Sequence, residues 1–382
     1  MEKKEKSRKK IVLIGPVYPY KGGISHYTGL LYRALSKKHD VVMLSYRMQY
    51  PKILFHKEQR DYANDSFKVE STEYGIHTAN PFNWIKEALR INRMHPDLVI
   101  FQWWHPYFAP CYVTMASLIR AKIMFTCHNV FPHERFPLDR FLTKLVLKRG
   151  NTFILHSQTE AEELLSIQKE AVYRIHMHPT YNAFRFRNLT KEEGRRDLSL
   201  SGEEKVLLFF GFVRPYKGLH YLLDAMKLLK EDGFDGKLLV VGDFDGTKED
   251  YIKQIGENEI SSMVEIHDGY IPDRDIEKFF AACDLVMLPY ESATQSGIAQ
   301  IAYGFEKPVV VTDVGGLPEV VDEEKTGYIV EAKNPTALKD AVRKFFNRPE
   351  NDRFQMGIRE ASYRFSWEGM VETIEELQGW KV

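Results

Sequence analysis

Short loops carry the residues of this chain whose types and spacing could do chemistry. Gly211-Phe-Val-Arg-Pro-Tyr-Lys-Gly218 sets two cations, Arg214 and Lys217, between an apolar run and an amphipathic segment. Basic side chains beside the free amides of a helix start suit a diphosphate, because both neutralise charge on its oxygens. Leu288-Pro-Tyr-Glu-Ser-Ala-Thr-Gln-Ser-Gly297 has small residues that leave the amides of Gln295, Ser296 and Gly297 available to phosphate. Glu291 in the same loop could accept hydrogen bonds from sugar hydroxyls. Gly15-Pro-Val-Tyr-Pro-Tyr-Lys-Gly-Gly23 ends in a glycine pair, Gly22 and Gly23, that lets the backbone approach a ligand. It does not fit GxGxxG, so a dinucleotide fingerprint is absent. Phe125-Thr-Cys-His-Asn129 would place His128 at the carboxyl end of a strand. His105, His133 and His178 are scattered without metal-ligand spacing, so neither a metal site nor a resident cofactor is expected.

These loops need a scaffold, and the hydrophobic pattern supplies one. Apolar runs at Ile11–Ile14, Asp40–Leu44, Leu98–Gln102, Lys122–Cys127 and Thr152–His156 alternate with amphipathic segments such as Ser25–Ser36 and Tyr112–Arg120. Continuous apolar strands separated by helices read as a parallel sheet covered on both faces. The pattern restarts with strands at Lys205–Phe210, Lys237–Val241, Val264–His267, Leu285–Leu288 and Pro308–Thr312. Helices are expected at Leu219–Lys230, Asp273–Ala282 and Ala299–Phe305, then at Thr336–Phe346, Asn351–Phe365 and Trp367–Trp380. The expected organisation is a basic flexible head at 1–10, an α/β domain at 11–185 and a polar linker at 186–204. A second α/β domain follows at 205–365, and a helix at 366–382 returns to the first. Ligands of open parallel sheets bind beyond the carboxyl ends of the strands, so two such doubly wound sheets would face a functional cleft.

Composition narrows the class. Fifty-three basic and 53 acidic residues among 382 cancel, which argues against nucleic acid as a partner. Three cysteines, widely spaced, give neither a disulfide framework nor a zinc site and fit a reducing compartment. No apolar stretch is long enough to span a bilayer and the head lacks a signal core, so a cytoplasmic location is expected. The basic head allows peripheral contact with anionic lipid.

Taken together, the segments resemble the retaining GT-B glycosyltransferases of glycosyltransferase family 4, also called glycosyl transferases group 1. The likeness rests on Gly211–Gly218 with His220-Tyr-Leu-Leu-Asp-Ala225, and on Asp284-Leu-Val-Met-Leu-Pro-Tyr-Glu291. It extends to Lys307-Pro-Val-Val-Val-Thr-Asp-Val-Gly-Gly-Leu-Pro-Glu319 with Thr326-Gly-Tyr328, to Gly22-Gly23 and to Cys127-His128-Asn129. The resemblance implies two Rossmann-like domains, a nucleotide sugar held mainly by the second and an acceptor by the first. It implies that Arg214 and Lys217 neutralise the departing diphosphate in place of a metal ion. His128 would bind the transferred sugar near its reacting end, with Gly22 and Gly23 against the diphosphate and sugar. Glu291 completes the expected catalytic set, and Gly269, Tyr270 and Ile271 are the expected contacts to the base.

Two departures from the family pattern stand out. The glutamate expected eight residues after Glu291 is Ala299, so ribose recognition would pass to Gln295 or Gln300. The arginine usual directly after the glycine is Phe212, with Arg214 two places later. The expected activity is metal-independent hexosyl transfer from a nucleotide-diphosphate sugar to a saccharide or lipid-linked saccharide, in cell-surface polysaccharide or glycolipid synthesis. The alternative is a non-catalytic GT-B protein that binds or scaffolds a partner. Trp103, Trp104 and His105 are acceptor-side candidates, because aromatic faces suit sugar rings; core packing explains the same aromatics equally well.

Overall fold

Ile11, Val12, Leu13 and Ile14 are all fully buried, which a strand achieves only when both faces of its sheet are covered. The computed structural model describes residues 8–53, 58–62, 65–132, 138–180, 182–244, 246–348 and 352–380, and divides the chain into two compact units. The first comprises Met1–Met177 and Trp367–Val382. Its strands are β1 (Lys10–Ile14), β2 (Asp40–Met48), β3 (Glu73–His77), β4 (Leu98–Trp103), β5 (Lys122–Cys127), β6 (Thr152–Leu155) and β7 (Tyr173–Ile175). They form one parallel sheet in the order β3-β2-β1-β4-β5-β6-β7. Val12 and Ile14 face a core shared with helices Pro81–Met94, Ala109–Leu118 and Asp139–Leu147. Ile11 and Leu13 face the opposite core, with Tyr27 and Leu31 of helix Gly23–Ser36. Helix Trp367–Leu377 joins that same core through Met370, Val371 and Ile374.

The second unit is His178–Ser366. Its strands are β8 (Lys205–Phe210), β9 (Gly236–Gly242), β10 (Val264–Asp268), β11 (Leu285–Leu288), β12 (Val309–Thr312) and β13 (Gly327–Val330). They too are parallel, in the order β10-β9-β8-β11-β12-β13. In each sheet the order reverses beside the first strand of the unit, between β1 and β4 and between β8 and β11. Loops leaving those strands diverge to opposite sides, which opens a crevice for ligand at the carboxyl edge.

The expected linker at 186–204 is instead part of the second unit, which begins at His178 rather than at 205. Helix Lys191–Asp197 lies within it, started by a capping box of Thr190 and Glu193. The helix has no apolar side, so composition disguises it: its inner face is Gly194 and the buried Arg195. A Cβ on Gly194 would come within 2.9 Å of the Lys278 carbonyl. Arg195 donates to the Ala282 carbonyl at 3.2 Å and to Asp284 at 3.0 Å. Buried Glu277 accepts the amides of Arg187 and Leu189, fixing the chain just before the helix. The first domain accordingly ends at Met177, not 185, and the second closes at Ser366. The end of the expected basic head belongs to the fold. Met1–Ser7 lie outside the described residues, while Arg8 is held by Asp40 at 3.0 Å and Lys10 already belongs to β1. The helix expected over Asn351–Phe365 breaks into Asp352–Ala361 and a tighter turn, Ser362–Phe365.

Candidate active site

In the second unit, three neighbouring strands end on glycines with positive φ: Gly211 (107°), Gly242 (148°) and Gly269 (119°). Glycine is required here sterically as well as conformationally, since a Cβ on Gly242 would overlap the Gly211 carbonyl oxygen. Across the order reversal, the loops after β8 and β11 are tied together. The Glu291 amide donates to the Tyr216 carbonyl at 2.6 Å, and Gly218 packs its Cα against the Pro289 carbonyl. The loop after β12 joins them through Gly316 N–H to Thr294 O at 3.1 Å and Thr312 Oγ1 to Tyr290 O at 2.6 Å.

Lys217 sits at the centre of this construction. Its ammonium lies 5.5 Å from the Tyr290 ring centroid and would be 3.2 Å from a Cβ at Gly211. Among the described residues no carboxylate pairs with it. Burial, reinforced by the nearby Arg214 charge, pushes its pKa down to about 8. A desolvated cation without a counter-charge is costly to the free protein. Arg214 precedes the short turn Pro215–Lys217 and has its guanidinium 5.9 Å from the Phe212 ring centroid. Ser296 is the N-cap of helix Gly297–Gly304 and interacts with the Tyr290 hydroxyl; Gln295 is half-buried beside it, and Gly297 opens the helix.

Glu291 is not the exposed carboxylate that its loop position suggests. One oxygen lies 2.8 Å from Lys333 and the other 3.5 Å from His220. Neither partner was singled out from sequence; Lys333 is 42 residues downstream and reaches the site only through the fold. Tyr270 is exposed and Ile271 half-buried, both following Gly269. Gln300 is wholly buried in the second turn of its helix, and neither amide atom has a hydrogen-bond partner among the described residues.

In the first unit, Gly22 adopts φ 107° as the N-cap of helix Gly23–Ser36, and added Cβ atoms at Gly22 and Gly23 would meet nothing within 4 Å. His128 follows β5 and extends its ladder by one bond, N–H to the Trp103 carbonyl at 2.8 Å. The ring is buried against Tyr27, edge to face with centroids 4.6 Å apart. Its Nε2 lies 2.7 Å from Oε1 of fully buried Gln102, at the end of β4. A carbonyl oxygen only accepts, so Nε2 is the donor in this contact. Gln102 also touches the first loop: a Cβ on Gly15 would come within 2.6 Å of its side chain. Sequence reading missed Gln102 because it lies inside an otherwise apolar strand. The only cue is a polar side chain in a run with no solvent-facing side.

Of the acceptor-side candidates, Trp103 is corrected to a core residue. It is fully buried in β4 and donates Nε1–H to the Val130 carbonyl at 3.3 Å. Trp104 packs on Phe108 and donates to the Tyr50 hydroxyl at 3.1 Å. His105 caps the turn Pro106–Phe108 by accepting the Tyr107 amide at 3.1 Å, and burial lowers its pKa. His133 lies outside the described residues. Among the described residues no three His, Cys, Asp or Glu side chains gather as a metal-ligand set.

Two doubly wound parallel sheets, with glycine loops at their order reversals, define a protein of two Rossmann-like domains. Residues 21–177 match the model of Glycosyltransferase Family 4, and residues 190–361 that of Glycosyl transferases group 1. The two matches together take in most of the chain, which belongs to this family. A D-inositol 3-phosphate glycosyltransferase of Saccharomonospora viridis is 25% identical over 241 residues, 61% of this chain and 56% of that protein. The chain thus spans little more than half the length of the first such relatives. An uncharacterised glycosyltransferase of Methanocaldococcus jannaschii is 24% identical over 96% of this chain and 98% of its own. The Anabaena protein HepE, solved with UDP-glucose, shares the fold with a TM-score of 0.74, at 17% identity over 97% of this chain and all of that one. The fold is therefore of the GT-B type.

Proposed function

We propose that the protein is a retaining, metal-independent glycosyltransferase that moves a hexosyl unit from a nucleoside-diphosphate sugar to a saccharide or lipid-linked saccharide. The observation that carries this reading is Lys217: a cation with no carboxylate partner among the described residues, held with Arg214 where two strand-end loops meet a helix N-terminus. Both cations, with the amides of Gln295, Ser296 and Gly297, bind the diphosphate and stabilise the charge that grows on it as it departs. Preorganised electrostatics of this kind contribute several kcal/mol to transition-state stabilisation. The bond from the anomeric carbon to the diphosphate oxygen breaks, and the acceptor oxygen bonds to the same face of that carbon. The acceptor proton passes to the leaving diphosphate. Gly22 and Gly23 approach the diphosphate and sugar, and His128 hydrogen-bonds a hydroxyl of the transferred sugar. Glu291 holds the sugar while anchored by Lys333. Gly269, Tyr270 and Ile271 contact the base; the ribose role expected of Gln300 does not fit its complete burial. UDP-sugars are the first donors to try, given HepE with UDP-glucose. Synthesis of cell-surface polysaccharide or glycolipid in the cytoplasm is the setting that suits such an acceptor. Calorimetric titration of chelator-treated protein with UDP, GDP and ADP tests the reading. Binding of one nucleotide, lost in Arg214→Ala/Lys217→Ala, supports it; no binding to a folded protein overturns it.

A further inference from the structure

Three helices of the first unit, Pro81–Met94, Ala109–Leu118 and Asp139–Leu147, bury their inner sides in one core on one face of the sheet. They are neighbours: Asn92 donates to the Leu118 carbonyl and accepts the Arg120 amide, each at 2.9 Å, and Ala109–Leu118 packs against Asp139–Leu147. Their outer sides differ from an ordinary water-facing surface. The first helix exposes Phe82, Ile85, Lys86, Leu89 and Arg93 along one stripe, with Phe82 85% exposed. The third exposes Leu138, Phe141 and Leu145 alongside Arg140, Lys144 and Lys148; Leu138 and Phe141 are 69% and 58% exposed. Leu118 and Arg120, held to the end of the first helix by Asn92, are exposed as well.

Solvent-facing helices mix both signs of charge and carry few large apolar side chains. Here no acidic side chain is exposed on any of the three helices. Glu87 and Asp139 are both buried, Glu87 with Arg90 at 2.9 Å. In a chain with 53 acids and 53 bases, that asymmetry is local. Contiguous exposed apolar groups among charges of one sign mark an interaction surface.

We infer that this face docks on an anionic lipid bilayer. The apolar side chains enter the acyl boundary while the lysines and arginines meet headgroup phosphates. Charge selects the occupant: a second copy of the same face would set like charges against each other. An anionic bilayer instead offers apolar interior and negative surface together. The inference does not depend on the donor site described above.

The test is co-sedimentation of the full chain with vesicles of phosphatidylcholine, alone or mixed with phosphatidylglycerol. Binding is expected only to the mixed vesicles, and it weakens as salt is raised. Phe82→Ser/Phe141→Ser and Lys86→Glu/Lys144→Glu each lower the affinity at least about tenfold, because each removes two of the groups that hold the bilayer. Circular dichroism confirms that both variants fold. A chain lacking residues 1–7 keeps its binding. The inference is overturned if wild-type protein stays in the supernatant with mixed vesicles at low salt. Unchanged binding in both face variants, loss of binding on removing 1–7 alone, or a dimer dissociated by Phe82→Ser overturns it equally.

Discussion

Replacing Lys217 with methionine removes a charge and keeps most of the stem, and the outcome follows from where its pKa sits. Burial and Arg214 hold it at about 8, against 10.5 for an ordinary lysine. The folded chain therefore binds that proton less tightly than the unfolded chain. The cost to folding is full below pH 8, shrinks as pH rises towards 10.5 and vanishes above it. The gap corresponds to about 3 kcal/mol at 1.36 kcal/mol per pKa unit, and partial exposure of the side chain brings the expected effect to about 1–2 kcal/mol. Lys217→Met should thus stabilise the ligand-free protein in urea at pH 7, with the gain fading above pH 8. A bound diphosphate needs the ammonium form. At pH 8 wild-type protein should take up about half a proton on binding UDP, and about a tenth at pH 7. Calorimetry in buffers of different ionisation enthalpy reads this number, with the variant as blank for protons exchanged elsewhere. Equal uptake in both proteins, or a variant less stable than wild type at pH 7, would refute the reasoning.

Three further outcomes follow from particular contacts. Gln102→Leu should release His128 from its Nε2–H tautomer, visible in ring nitrogen shifts, and lower turnover about tenfold, the scale of one buried hydrogen bond; an unchanged tautomer would exclude Gln102 as its positioning residue. Gly242→Ala should cost about 3 kcal/mol or more in urea unfolding, because the new Cβ overlaps the Gly211 carbonyl at φ 148°. Burial lowers the pKa of His39, although Glu375 lies 3.1 Å away and opposes the shift. Its contribution to stability is present above pH 6.5 and is lost as pH falls through the folded value, so His39→Gln should flatten unfolding free energy below pH 6.5.

The strands were legible wherever both faces are buried. Lys122–Cys127, Lys205–Phe210 and Leu285–Leu288 run between the bounds that their apolar residues predict. The strands that escaped are edge or near-edge ones. Glu73–His77 and Tyr173–Ile175 are only partly covered, and Gly327–Val330 opens on glycine, so each lacks the apolar run that identifies a central strand. Helix Lys191–Asp197 escaped for the opposite reason, since the ion pair of buried Arg195 with half-buried Asp284 holds it in place of apolar packing. In the candidate site, Arg214, Lys217 and His128 stand out as candidates because each lies in a loop after a strand, and Gly22 because it opens a helix. Gln102, Lys333 and His220 could not, because their meaning lies in pairings across strands and loops. Trp103 misled because an aromatic run reads alike whether its rings line a surface or fill a core. Of that run, one ring points into each setting: Trp103 inward, Trp104 against the half-buried Tyr50.

Sugar transfer itself is the central claim. Chelator-treated protein is incubated with UDP-, GDP- and ADP-linked hexoses and candidate saccharide and lipid-linked saccharide acceptors, following nucleoside diphosphate release and product anomeric configuration by NMR. The account predicts that one donor is consumed without added metal, that the product keeps the donor's configuration, and that Arg214→Ala/Lys217→Ala is inactive. An inverted product, or turnover indifferent to Arg214 and Lys217, would contradict it.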